Sequence, residues 1–229
     1  MTEQPIFRRI RSFVRREGRM TPSQQRAMDE LWPLFGVEAD GRPIDFAALF
    51  GREAPVVVEV GFGNGEAMLH MATLHPEWNF LGIEVHRPGV GGLMIRLQEQ
   101  GLTNVRLVAE DAVEIIKGQI AEGSVDKFLL FFPDPWHKKR HHKRRIVQPE
   151  FVQLLRGKLK SHGEFHMATD WQPYAEHMRT VMEAAEGFVN KAGMGEYSVA
   201  PDYRPVTKFE RRGLRLGHGV WDLIYIRLE

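Results

Sequence analysis

The sequence predicts an α/β protein of the doubly wound kind, with a mostly parallel sheet, helices on both faces and a basic N-terminal arm. Three observations carry this. Short apolar runs such as Val56-Val57-Val58-Glu59-Val60 have the near-continuous hydrophobicity of strands buried on both faces. Helical apolar stripes alternate with those runs along the chain. The first strand leads straight into Gly61-Phe62-Gly63-Asn64-Gly65 and then a helical pattern. In that layout the backbone can approach a ligand held at a helix N-terminus.

The chain divides into a basic flexible arm (1–20), an N-terminal helix and connector (21–55) and one main domain (56–229). The arm carries Arg8, Arg9, Arg11, Arg15, Arg16 and Arg19 with few apolar anchors, and reads either as a phosphate-binding segment or as a solubilising tail. Thr21 or Ser23 should cap a helix whose stripe is Ala27, Leu31, Leu34 and Phe35, with a connector over 36–55. After the glycine turn, Ala67, Leu69, His70, Met71 and Leu74 mark a helix. Asn79 to Ile83 is the second strand and ends at Glu84; Leu93, Ile95 and Leu97 mark the helix after it. Val105 to Val108 is the third strand, followed by Glu110-Asp111 and a helix with Val113, Ile115 and Ile116. Val125 to Phe132 is the fourth. Pro149 opens a helix with Phe151, Leu154, Leu155 and Leu159; Gly163 to Ala168 is the fifth strand, and Val220 to Leu228 closes the sheet. Between them, Asp170 stands ahead of a helix with Tyr174, Met178, Val181, Met182 and Ala185.

Charge is concentrated. The net charge is only +1, yet residues 1–20 and 137–145 hold 12 Lys or Arg against 2 acids, leaving 19 bases and 28 acids elsewhere. Two basic segments on an acidic body make a placed polyanion footprint. Cysteine is absent, which excludes disulfides, thiolate catalysis and zinc–thiolate sites and suits a reducing cytoplasm. No apolar run has the length of a membrane span. The sequence is compatible with a monomer or a homodimer.

The chemistry gathers at the strand ends. A dinucleotide fingerprint wants a third glycine at 66, where this chain has Glu66. Gly61, Gly63 and Gly65, with Glu59 upstream, suit an amino-bearing ligand better than a pyrophosphate, which the acid would repel. Glu84 can accept ribose hydroxyls or cap a helix; Asp111 can accept an adenine amine or cap the next one. Asp170 is a helix cap or a second carboxylate in the crevice. The fourth strand delivers Pro133-Asp134-Pro135-Trp136, where two prolines stiffen a turn carrying a carboxylate beside an indole. His137 to Arg145 follows with six Lys or Arg and no acid: a clamp for an RNA backbone, through Lys139, Arg140, Lys143, Arg144 and Arg145. In an open parallel sheet the first and fourth strands flank the ligand crevice, so Gly61 and Asp134 should face one another.

Glu59-Val60-Gly61-Phe62-Gly63-Asn64-Gly65, Gly82-Ile83-Glu84, Pro133-Asp134-Pro135-Trp136-His137-Lys138-Lys139-Arg140-His141 and Thr207-Lys208-Phe209-Glu210 together resemble the bacterial tRNA (guanine-N7)-methyltransferase family. The resemblance covers nearly all of the chain after the arm, and the Pro-Asp-Pro-Trp element is its most specific part. It implies a Rossmann-like, seven-stranded methyltransferase of class I that uses S-adenosylmethionine and acts on a guanine in the tRNA variable loop. It also implies that Glu59, Glu84, Asp111 and Asp134 contact the cofactor, that Asp134 is catalytic, and that Lys138, Asp170, Thr207, Lys208, Phe209 and Glu210 bind substrate. Asp111 stands where many relatives have Asn, and either side chain can accept an adenine amine.

Three other readings fit less well. In an amino-methyltransferase for adenine or cytosine, two prolines in a row precede the aromatic; here Pro135 is followed directly by Trp136. A non-enzymatic RNA-binding protein has no use for an intact glycine turn with Glu59 and Glu84. A metal held by His137, His141 and His142 would be repelled by the surrounding Lys and Arg, so no metal is expected.

Overall fold

The structure, a computed structural model, describes Ser12, residues 18–206, Glu210 and residues 219–229. Among these residues seven strands form one sheet in the order β3-β2-β1-β4-β5-β7-β6. These are β1 (Val56–Val60), β2 (Asn79–Ile83), β3 (Val105–Val108), β4 (Val125–Phe131), β5 (Leu159–Thr169), β6 (Phe188–Asn190) and β7 (Trp221–Arg227). The first five pair in parallel, and β7 runs antiparallel between β5 and β6. The strand order reverses between β1 and β4, so the ends of these two strands bound the crevice, as the sequence predicts.

Both faces of the sheet are covered, which is why β1 and β2 are buried at every position. Val56, Val58 and Val60 point to one face, with α3 (Phe46–Phe50), α6 (Ala112–Gln119), α7 (Pro149–Lys158) and α8 (Gln172–Glu183). Val57 points to the other, with α1 (Pro22–Glu30), α2 (Trp32–Phe35), α4 (Glu66–Leu74) and α5 (Arg87–Glu99). Tyr203 packs on this second face, beside Leu129, Phe131 and Ala168.

Several expectations change in detail. The first helical stripe is two helices: Thr21 caps α1 in a reciprocal box with Gln24, the helix ends at Leu31, and α2 restarts with Pro33 in its first turn. That restart leaves Leu34 exposed, off the stripe. The 36–55 connector contains α3, capped by Asp45. In α4 the buried face is Ala67, Met68, Met71 and Ala72, so His70 and Leu74 face outward. β5 begins at Leu159, four residues earlier than expected, and Leu159 therefore belongs to the sheet. The short edge strand β6 carries no alternation that would mark it in sequence. The arm's arginines up to Arg16, and Thr207 to Phe209, lie outside the described residues.

Candidate active site

The β1–α4 connection approaches its ligand through the backbone alone. Gly61 and Gly63 have φ of +71° and +58°, and the space a Cβ would occupy at each is empty. An L side chain there would be strained and would fill the cradle. Gly65 shares the left-handed backbone, with φ of +72°, but its Cβ position is not empty: a Cβ would meet Leu93 of α5 at 2.6 Å, so packing at the start of α4 also calls for glycine there.

Two acids stand near this turn, Glu59 within β1 and Glu84 just past β2. Glu84, at the end of β2, accepts the Gly63 amide at 2.8 Å on one oxygen, and the Val85 and His86 amides at 2.7 and 2.8 Å on the other. It braces the glycine turn and does not cap α5. Glu59 is buried in β1, and its Oε2 has no hydrogen-bond partner among the described residues. Burial, reinforced by the Glu84 charge, pushes its pKa up to about 8. A buried carboxyl with an open acceptor beside a bare glycine cradle suits the amino group of a ligand.

A pocket at the carboxyl ends of the strands brings Gly61, Glu84, Asp111 and Asp134 together, with Val60, Ile83, Leu130, Phe132 and Ile146 as apolar walls. Asp111 caps α6 through the Val113 amide at 3.0 Å and also lines the pocket. Val85, Glu110 and Ser12 also line the pocket, and sequence reasoning missed them. Glu110 had a signal in its neighbour Asp111; Ser12 had none.

The Pro-Asp-Pro-Trp turn is held in a rare conformation. Phe132, just before it, and Trp136, its last residue, have φ of +51° and +47°. Each left-handed non-glycine residue costs roughly 1–3 kcal/mol, so the surroundings must enforce the turn. They do. The Phe132 amide donates to the Ala168 carbonyl at 2.8 Å, and the indole N–H of Trp136 donates to the Ser12 carbonyl at 3.1 Å. The Arg144 guanidinium lies over the indole, 4.4 Å from its centre. The indole face is thus engaged by the basic segment and is not a wall of the main pocket. Arg145 needs a correction. It is buried, its guanidinium donates to the Pro135 carbonyl at 2.9 Å, and it lies over the Tyr174 ring. It braces the turn from inside and is unavailable to a phosphate.

The rest of the basic segment forms a 3-10 turn, Lys139–Arg144, with Lys138 ahead of it. Lys138, Lys139, Arg140 and Lys143 are exposed. Asp170 stands just past β5, beside the end of β4, and does not cap α8, whose N-cap is Trp171. Glu210 is buried and bonded to Arg204 at 2.6 and 3.0 Å, so its carboxylate is engaged within the protein. Among the described residues no cluster of His, Asp or Glu could hold a metal ion, and no helix is long and apolar enough to cross a membrane.

The fold and the strand-end pocket define a class of protein, the Rossmann-like methyltransferases. The family described as "Putative methyltransferase" matches residues 53–223. Among solved structures, the 16S rRNA methyltransferase KamB superposes with a TM-score of 0.60 at 15% identity, covering 80% of this chain and 93% of that one. The 16S rRNA (adenine(1408)-N(1))-methyltransferase of Catenulisporales acidiphilia gives 0.55 at 16%, covering 86% and 98%. These likenesses establish the fold. Much nearer in sequence is the tRNA (guanine-N(7)-)-methyltransferase of Aeromonas hydrophila, 59% identical over 224 residues, 98% of this chain and 94% of the relative. The protein of the same name from Yersinia enterocolitica is 59% identical over 97% of this chain and 93% of the relative. The chain belongs to the tRNA (guanine-N7)-methyltransferase family.

Proposed function

We propose that this protein transfers the methyl group of S-adenosylmethionine to N7 of the guanine at position 46 in the tRNA variable loop. One observation carries the reading: Gly61, Glu84, Asp111 and Asp134 meet in one pocket at the β1/β4 switch point, next to an exposed cationic turn. The residues fit the cofactor. The open acceptor of Glu59 and the glycine cradle suit its amino-acid portion, Glu84 its ribose and Asp111 its adenine. When bound, S-adenosylmethionine supplies an electrophilic methyl group on a sulfonium.

Guanine N7 carries no proton at neutral pH, so the site has none to remove before transfer. Asp134 instead orients the base and stabilises the positive charge that arrives on the purine. Asp134 and Asp170 stand past neighbouring strand ends, where either can accept guanine N1–H and N2–H, which adenine lacks. Lys138, Lys139, Arg140 and Lys143 hold the phosphates while the base splays into the pocket. Such a reaction belongs to the cytoplasm, with tRNA as the partner. Incubation with bulk tRNA and labelled S-adenosylmethionine, followed by chemical scission at N7-methylguanine, tests the assignment. Label in another base, or none, would refute it.

A further inference from the structure

A second groove, of about 470 Å³, opens between α6, α7 and the 3-10 turn of the basic segment. Small-ligand sites span about 300–1,000 Å³, so it has room for one. Asp111 and Ile146 line both this groove and the strand-end pocket, so the two adjoin. Helix spacing builds the walls. Val113 and Lys117 lie four residues apart on α6, and Phe151 and Leu154 three apart on α7, so each pair shares a helix face. Val113, Ile146 and Leu154 are half-buried; they pack against the core and leave an apolar floor.

The rim is cationic. Lys117, Lys143, Arg144 and Arg145 line the groove against two acids, Asp111 and Glu150. Several of these are engaged within the protein. Arg144 lies over Trp136, Arg145 is held by Pro135 and Tyr174, and Asp111 caps α6. Lys117, in the last turn of α6, and Lys143 are exposed, and neither ammonium is paired with an acid among the described residues. An apolar floor beside two open ammonium groups matches a nucleotide, which has flat apolar faces and an anionic phosphate. A simple anion would make no use of the floor, and an apolar peptide none of the rim. The shared wall decides which nucleotide this is. A strand whose guanine enters the strand-end pocket must continue past it, and the groove is the adjoining space.

We propose that this groove holds a nucleotide of the tRNA strand next to the methylated guanine, with its phosphate on Lys117 and Lys143 and its sugar or base on Val113, Ile146 and Leu154. The inference rests on the tRNA-methyltransferase reading and adds to it a binding site on α6 and α7, outside the basic segment. Lys117 carries the new assignment. It stands far upstream of the basic run, alone among apolar and acidic neighbours, and only the fold brings it beside Lys143.

Two measurements test it. The chain has no cysteine, so Lys117→Cys gives a single attachment point for an iron–EDTA probe that cleaves nearby RNA. With tRNA bound at saturating protein, strand breaks should cluster at the nucleotides flanking the guanine that the enzyme methylates. Breaks confined to distant parts of the tRNA would overturn the proposal. So would their absence, which is the result expected if an acidic protein occupies the groove instead. Separately, Lys117→Ala should weaken tRNA binding about three- to tenfold and lower the log–log salt slope by about 0.7–0.9, the contribution of one phosphate. Lys117→Arg should keep both near the wild-type values. Leu154→Ala should weaken binding about threefold with the salt slope unchanged, because it removes apolar contact and no charge. Calorimetric affinity for S-adenosylmethionine, held at the wild-type value, reports that each variant is folded. An unaltered slope in Lys117→Ala, or undiminished affinity in Leu154→Ala, would overturn the groove as a nucleotide site. Absence of N7-methylguanine with the unaltered enzyme would instead refute the functional reading, while the probe would still report whether RNA lies in the groove.

Discussion

At neutral pH the Glu59 carboxyl keeps its proton, because burial and then the Glu84 charge raise its pKa to about 8. For a carboxyl the consequence runs opposite to the usual case. Between its ordinary value of 4.5 and about 8 the folded state holds a proton that the unfolded chain has released, so stability falls as pH rises through that window. Glu59→Gln removes this loss. The apo variant should gain about 1–3 kcal/mol at pH 7.5 and show a flatter melting profile between pH 5.5 and 8.5, while cofactor binding collapses. Equal pH slopes in wild type and variant would show that Glu59 ionises elsewhere. Asp134, exposed at the pocket edge, makes a different prediction. Asp134→Ala should cost roughly a hundredfold or more in turnover, the scale of removing one preorganised electrostatic group. Asp134→Asn should lose less, because it keeps one acceptor. With saturating substrates, single-turnover rates should be nearly flat from about pH 6.5 to 8.5, because guanine N7 has no proton to give up before transfer. A rate climbing tenfold per unit there, and levelled by Asp134→Asn, would make Asp134 a general base.

The basic segment is an element with two sides. Lys139, Arg140 and Lys143 face outward, whereas Arg144 lies on Trp136 and Arg145 supports Pro135 from within. Alanine at Lys139, Arg140 and Lys143 should weaken tRNA binding and leave the melting temperature unchanged. The log–log salt slope should fall by about 0.7–0.9 for each phosphate that is no longer neutralised. Arg145→Ala should do the reverse, losing about 2–4 kcal/mol of stability through the carbonyl and ring it leaves unpartnered, with the salt slope of the folded fraction intact. A binding titration across salt concentrations, paired with thermal melts, separates the two. If both variants moved the same readout, the division of the segment into an outer and an inner side would be wrong.

Across the whole molecule, charge and topology converge on one edge. The cationic turn follows β4, at the same sheet edge as the pocket. Ser12 of the arm reaches that edge too, bonded to Trp136. The body that carries these segments is acidic, so the attraction for a polyanion is concentrated on one side of it. Removing residues 1–11, with Arg8, Arg9 and Arg11, should lower the salt slope of tRNA binding without altering cofactor affinity. An unaltered slope would mean that these arginines meet no phosphate.

By itself the sequence determined the alternation of buried strands and helices, the glycine turn, the switch point between β1 and β4, and the acids at the strand ends. Those features are local: a run of valines, a left-handed glycine and a proline-bounded aspartate each state their own conformation within a few residues. What only the tertiary structure decided was which polar groups are spent inside the protein. Arg145 looks like its neighbours in a cationic run, yet Pro135 and Tyr174 enclose it. Gly65 looks like Gly61 and Gly63, yet Leu93 claims its space. His166 and Asp222 each interrupt an apolar strand, a signal legible in hindsight, but their partner Arg204 comes from a segment with no period of its own. Partners brought together from distant positions leave no spacing in the chain, so burial and pairing had to be read from the fold.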